Sequence, residues 1–450
     1  MGKLSKNIII LLLFFMLPVI YTGCAKNSSK NGKDKGKNTG TPYTSPGNGD
    51  ISQKDIKGNE TEDNNVVNNI KEAMPVEAGI EVTKIDGLSE GFICGTDVSD
   101  IKSEYENGVK YYDFEGRNLV YSPGEGEKGF FNFLKECGIN WVRIRVWNSL
   151  YNEEDISYGG GNNNLETAMD IGKLATDAGL RVFIDFHYPD FQKGWTDSGK
   201  YQAQVKWQDM DIDEKLQAFE TCTIENLTKL IDYGVDIGMV QIGNKTVDLL
   251  SGEEDCENIL RIINEGSKAV HYVADTMEKE ILVALHFTDI KETSYKDIAE
   301  KLKDGQADYD VFAVSYYPFL HGTTESLTNT MKTIAEEYGK KVMVAETSYI
   351  YTFKNNNGNK QSIGKKDNLP FLYDVSVQGQ ADAVADVIQA AVNMGEQGIG
   401  VFYAASYKPY NAVKWNGSPL WGNQALFNFK GHPLESACIF KYVFTGTVKK

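Results

Sequence analysis

Between residues 91 and 403 the chain repeats one rhythm eight times: a short apolar run, then a longer stretch with apolar residues at helical spacing. Strands are expected at 91–98, 141–147, 181–187, 239–243, 281–286, 311–316, 341–346 and 398–403. Helices are expected between them at 128–137, 165–178, 212–234, 256–277, 294–303, 327–338 and 380–395, with Gly138 and Gly179 as stops for the first two. Runs apolar enough to be buried on both faces, joined by helices, call for a parallel sheet with helices outside. Eight such units close it into an α/β fold of the (β/α)8 TIM-barrel type.

The barrel is assigned to residues 86–447. What precedes it reads differently. Lys3 and Lys6 are followed by an apolar run over 8–20 and then by Thr22-Gly23-Cys24. The run is short for a membrane span and has the layout of a bacterial secretory signal over 1–23. Small residues before Cys24 point to lipoprotein processing, with Cys24 as the lipidated N-terminus, although Tyr21 stands where such signals prefer Leu. An ordinary cleaved signal with an incidental cysteine is the alternative. From Ala25 to about Val76 the chain is dominated by Asn, Lys, Gly, Ser, Asp and Thr, so residues 24–85 are assigned to a disordered tether. About 50 such residues reach roughly 40 Å. A secreted protein anchored to the outer face of the bacterial cell membrane is the expectation, acting as a monomer.

The formal net charge is −17, or −19 once Lys3 and Lys6 are removed, which argues against nucleic acid as a partner. Besides Cys24 there are five cysteines, at 94, 137, 222, 256 and 438, without close metal-type spacing. Their odd number argues against a fully paired disulfide framework, and most are expected to be small buried apolar residues.

Polar residues gather at the carboxyl ends of the strands, where barrels of this type place their chemistry. They are Asp97, Arg143, Arg145, His187, Asn244, His286, Tyr316 and Glu346. Glu346 ends a strand too apolar to carry a carboxylate without a role or a salt bridge. Arg143 and Arg145 share strand parity, so both can point into the barrel mouth, either beneath a carboxylate or paired with Asp97 or Asp185. His187 and His286 lack a third ligand at zinc-like spacing and suit hydrogen bonding better than metal binding. The Ser315-Tyr316-Tyr317-Pro318-Phe319 segment suits stacking on a sugar face or packing at the rim.

With its strands in register, the chain resembles glycoside hydrolase family 53, the endo-β-1,4-galactanases, from about 89 to 445. The segments that carry the resemblance are Gly95-Thr-Asp-Val-Ser, Trp141-Val-Arg-Ile-Arg-Val-Trp, Tyr158-Gly-Gly-Gly-Asn-Asn, Asp185-Phe-His-Tyr, Gln241-Ile-Gly-Asn, Ser315-Tyr-Tyr-Pro, Val344-Ala-Glu-Thr and Asn423-Gln-Ala-Leu-Phe. The resemblance implies a retaining glycosidase acting on β-1,4-galactan or a related plant polysaccharide. It makes Glu346 the nucleophile position and Lys245 the acid/base position. Asp97, Arg143, His187, Asn244 and Tyr316 are then in the shell around the reacting sugar, with His286 and Tyr317 as further substrate contacts.

The departures from the family's pattern cluster at this site. The acid/base Glu is Lys245, and three stacking Trp positions read Gln192, Leu320 and Ala404. The bacterial members' calcium loop reads Asn355-Asn-Asn-Gly-Asn359, and Asn355, Asn357 and Asn359 lack the carboxylates that hold a hard cation, so no cofactor is expected. Trp147, Trp195, Tyr317, Tyr407, Trp415 and Trp421 remain as aromatic candidates near the rim. A protonated lysine is a poor proton donor and cannot act as base in the return step. The expectation is a galactan-binding barrel with impaired hydrolysis. The alternatives are a working galactanase that draws its proton from Asp248 or Glu253, and a non-catalytic protein-interaction module.

Overall fold

The computed structural model describes residues 75–147, 163–188, 207, 210–244, 250, 253, 255–288, 292–354, 363–367, 369–404 and 422–449. Eight strands close a barrel: β2 (Ile93–Asp97), β5 (Trp141–Val146), β6 (Arg181–Phe186), β7 (Ile237–Ile242), β8 (Leu282–Phe287), β9 (Val311–Ser315), β10 (Lys341–Thr347) and β11 (Gly398–Tyr403). Every neighbouring pair is parallel, and β11 pairs with β2 to complete the ring.

The inside of the barrel is a packed layer, not a pore. Ile93, Trp141, Phe183, Met239, Ala284, Val311, Ala313, Met343, Ala345 and Phe402 form a single buried cluster. Gly95 makes room for it: a Cβ at that position would overlap the Phe402 ring. The alternate residues of each strand face outward and join a larger apolar layer under the helices.

That covering layer holds α3 (Leu165–Asp177), α4 (Ile212–Asp232), α5 (Cys256–Thr276), α6 (Glu292–Asp304), α7 (Thr324–Tyr338) and α8 (Val377–Asn393), after α1 (Ile101–Glu106) and α2 (Phe130–Glu136). Their starts are set by side chains. Asn164 accepts from Thr167 N at the head of α3, and Asp211 forms a reciprocal capping box with Glu214 at the head of α4. α7 ends on Gly339 at φ 65°, the left-handed stop that glycine supplies without penalty.

The folded unit begins earlier than residue 86. β1 (Val76–Ala78) pairs in parallel with β12 (Thr447–Lys449), and Ile85 N donates to Val443 O. Ala78, Ile80, Val82 and Ile85 are buried. Val76, Ala78, Ile80 and Val82 keep a two-residue alternation that the polar composition upstream conceals. The stretch 75–85 is therefore part of the domain and not of the tether. A short hairpin, β3 (Tyr111–Tyr112) with β4 (Asn118–Leu119), and a last helix, α9 (Ile439–Thr445), complete the described chain.

The cysteines are incompletely paired and three of the five are buried, but one bridge forms that the sequence did not suggest. Cys137 and Cys438 form a disulfide across a sequence separation of 301 residues, which no local spacing could announce. It ties the turn between α2 and β5 to the start of α9, where Lys441 N also donates to Cys137 O. Of the others, Cys94 is buried, Cys222 half-buried and Cys256 exposed, all as free thiols. Cys24, the expected lipidation site, lies outside the described residues. Among those residues no helix is long and apolar enough to cross a membrane.

Candidate active site

Strand parity builds the site. On five strands an interior residue is followed two places later by a polar one facing the same way, at the carboxyl end of the strand. Phe183 thus leads to Asp185, Met239 to Gln241, Ala284 to His286, Ala313 to Ser315 and Trp141 to Arg143. Asp97 stands four places beyond Ile93 on the same face.

Glu346 breaks this rule. Met343 and Ala345 already face the interior, so plain alternation would send Glu346 outward into the helix layer. The register of β10 against β9 slips between Val344 and Glu346, and against β11 it slips between Val344 and Thr347. That bulge turns the carboxylate into the mouth. Asn244 gets there differently, on a bend at Gly243, whose φ is 67°.

Arg143 is the centre of the cluster and is 1% exposed. Its Nη1 donates to Glu346 Oε1 at 2.9 Å and lies 3.6 Å from Asp97 Oδ2. Its Nη2 donates to Asp185 Oδ2 at 2.7 Å, Gln241 Oε1 at 3.0 Å and Asn244 Oδ1 at 3.3 Å. Among the described residues its Nε has no hydrogen-bond partner. Burial works against the charge, but Asp185, Glu346 and Asp97 outweigh it and keep the guanidinium ionised. Both sequence readings of Arg143 thus hold at once, since it supports Glu346 and pairs with Asp185 and Asp97.

Arg145, of the same parity, sits one layer outward. It contacts Asp97 and Asp100 at 3.3 Å, and Ser99 Oγ accepts from its Nε. Asp97, Asp100, Asp185 and Glu346 thus face Arg143 and Arg145: four carboxylates against two guanidiniums, a formal excess of two negative charges among the described residues.

Two hydroxyls also contact Glu346. Oε2 accepts from Tyr317 at 3.2 Å and from Ser315 at 3.3 Å. Burial, then the Glu346 charge, pushes the Tyr317 phenol well above its ordinary range, so it stays a donor. His286 contacts Asn244 Oδ1 through Nδ1 at 2.7 Å and Ser315 Oγ through Nε2 at 3.0 Å. His187 meets Asp185 Oδ2 at 2.9 Å and stacks on Trp147, with centroids 4.6 Å apart. The next residue, Tyr188, has φ 47°. A left-handed tyrosine costs about 1–2 kcal/mol, here offset by its stack on Phe219 and a hydrogen bond with Thr223.

Tyr316 does not join this group. Its hydroxyl donates to Gly322 O, and its ring packs in the outer apolar layer. The parity that brings in Ser315 and Tyr317 sends Tyr316 the other way. Ser315 and Gln241 were the residues not singled out from sequence, and continuing the alternation from Ala313 and Met239 finds them. Leu320, at an expected stacking position, is 44% exposed.

Several expected site residues lie outside the described residues: Lys245, Asp248, Gln192, Trp195, Tyr407, Trp415, Trp421, Asn355, Asn357 and Asn359. Among the described ones, no group of three or more His, Cys, Asp or Glu is arranged to hold a metal ion. Glu253 is described, and it is engaged. Lys215 pairs with it, Asn258 donates to its other oxygen at 2.9 Å, and these outweigh burial to hold the carboxyl below its usual range.

The glycosyl hydrolase family 53 profile matches residues 93–440. An endo-β-1,4-galactanase of Bacillus subtilis is 41% identical over 403 residues, covering 82% of this chain and 90% of that one. The arabinogalactan endo-β-1,4-galactanase of Humicola insolens is 26% identical over 355 residues, 77% of this chain and 98% of its own. A solved family 53 catalytic domain from Ignisphaera aggregans superposes with a TM-score of 0.72 at 31% identity, over 81% of this chain and 99% of that one. Profile, relatives and barrel agree, and the chain belongs to glycosyl hydrolase family 53.

Proposed function

We propose that the barrel mouth receives a β-1,4-galactan-type polysaccharide, that Glu346 is its nucleophile, and that Lys245 leaves hydrolysis impaired while binding persists. The observation that carries this reading is the pairing of an intact cradle with an altered neighbour. Glu346 is held by Arg143, Tyr317 and Ser315, while the residue directly after Asn244 is Lys245.

In a retaining glycosidase one carboxylate attacks the anomeric carbon, and a second residue protonates the leaving oxygen and later deprotonates water. A lysine ammonium does the first of those two jobs poorly and the second not at all. Glu253 is a poor replacement acid, because a carboxyl held ionised by Lys215 has no proton to give. The surface-lipoprotein reading rests on the apolar run before Thr22-Gly23-Cys24. It is supported by the Cys137–Cys438 bond, since disulfides persist chiefly in oxidising compartments.

The test separates the two half-reactions. A 2,4-dinitrophenyl β-galactobioside needs no proton on its leaving group. Glu346 forms a bond to C1, the C1–O bond breaks, and the electron pair departs on dinitrophenolate. The native chain should release about one equivalent and then stop, with the galactobiosyl group retained on Glu346 by mass spectrometry. On linear galactan it should release almost nothing, and Lys245→Glu should raise that by about 10²–10⁴-fold, the usual worth of a general acid–base. Steady galactan hydrolysis by the native chain would overturn the impaired reading, and absence of any burst would overturn the role of Glu346.

A further inference from the structure

The hydrogen bonds between Asn244, His286, Ser315 and Glu346 can be oriented proton by proton. Arg143 Nη2 can only donate, so the Asn244 atom facing it at 3.3 Å is the oxygen. Gln241 Nε2, already donating to Asp185 Oδ1 and Gly243 O at 2.6 Å each, requires the same orientation. An amide oxygen only accepts. His286 Nδ1, 2.7 Å from it, therefore carries a proton whether the ring is neutral or charged.

That leaves Nε2 as the variable atom. It lies 3.0 Å from Ser315 Oγ, and the same Oγ lies 3.3 Å from Glu346 Oε2. The hydroxyl has one proton for two neighbours. When the ring is neutral, Nε2 offers a lone pair and takes that proton. When the ring is an imidazolium, Nε2 donates to Oγ and the serine proton is released toward the carboxylate.

We propose that Ser315 is a positioning residue for Glu346, directing its hydroxyl proton to the carboxylate when His286 is charged and to His286 when it is neutral. Among the described residues, charged groups around the relay include Arg143 on β5, Asp185 on β6 and Glu346 on β10. The neutral ones are Gln241 and Asn244 at the end of β7 and Tyr317 after β9. Asp185 and Glu346 favour the imidazolium and Arg143 opposes it. The chemical consequence rests on the reading of Glu346 as nucleophile. On the acid side the carboxylate gains a third kind of donor beside Arg143 and Tyr317, together with a nearby cation, and becomes less reactive.

Nitrogen-15 spectra of the histidine-labelled native protein decide the relay without any activity. The chain has five histidines, and His286→Gln assigns the signal. The neutral ring should carry its proton on Nδ1, and acidification should add the second at Nε2. In Ser315→Ala the midpoint should fall by roughly half to one pH unit, because the imidazolium loses the acceptor that passes its charge to Glu346. In a Glu346→Gln background the same serine change should shift it by less. A neutral ring protonated at Nε2, or a midpoint that ignores Ser315→Ala, would overturn the proposal. The dinitrophenolate burst gives the functional readout. Its rate should drop on the acid side in the native chain and drop less in Ser315→Ala. A protein with no burst but the expected spectra would remove the nucleophile reading and leave the relay standing.

Discussion

Replacing Arg143 with Met keeps much of the side-chain volume and deletes the one cation that three buried carboxylates share. Its guanidinium lies 2.7 Å from Asp185, 2.9 Å from Glu346 and 3.6 Å from Asp97. At an effective dielectric of about 20, those contacts sum to roughly 16 kcal/mol of gross attraction. Most of that is balanced by the cost of taking the ions out of water, and the carboxylates left behind escape by taking up protons. The net loss expected at pH 7 is about 3–5 kcal/mol. For a folded unit spanning Ala73–Lys450, that lowers the melting temperature by roughly 5 °C.

The pH dependence identifies the cause. Burial pushes the Asp185 carboxyl up, but Arg143, with His187 and His286, pulls it below its ordinary range. A depressed carboxyl contributes stability above its unfolded value, near 3.9, and loses it as pH falls through the folded one. The gap between native and Arg143→Met should therefore be widest at neutral pH and shrink as pH falls below about 4, where Asp185 takes up its proton in the native chain. Urea unfolding at pH 7 and at about pH 3 reads both numbers. A gap under about 1 kcal/mol at pH 7 would refute the charge argument. A gap of equal size at both pH values would mean that Arg143 matters through packing.

Two further outcomes follow from contacts elsewhere in the fold. Cys137→Ser with Cys438→Ser opens a loop of 301 residues and should cost on the order of 5 kcal/mol in unfolding free energy, with reductant destabilising the native chain but not the variant. Glu253→Gln should leave any residual galactan hydrolysis unchanged while loosening its contact with Lys215, visible as a lower melting temperature; a loss of product release would identify Glu253 as the missing acid.

Much of the barrel was legible because its strands are apolar on both faces and its helices have ordinary stops and caps. The candidate site was legible as far as parity holds: Asp97, Arg143, His187 and His286 fall where alternation sends them. Glu346 stood out as an anomalous carboxylate, but the bulge that turns it inward has no signature in Val342-Met-Val-Ala-Glu. Tyr316 and Tyr317 are adjacent, similar in chemistry and opposite in direction, and only the register of β9 tells them apart. The disulfide and the β1–β12 pair join residues hundreds of positions apart. Contacts of that range leave no periodicity to read.

The placement of β1 also determines how the domain would bear mechanical load. The chain enters through β1, clamped to β12, and then reaches β2 from the end opposite the site. β2 carries Asp97 at its other end, within the charged cluster. Were the chain held from upstream of residue 75 while a polymer pulled on the mouth, the traction would run lengthwise along β2. Its ladders to β11 and β5 would then be sheared together instead of unzipped one bond at a time. The strand that receives the strain is thus held from both sides, with the short β1–β12 pair as the first element to yield.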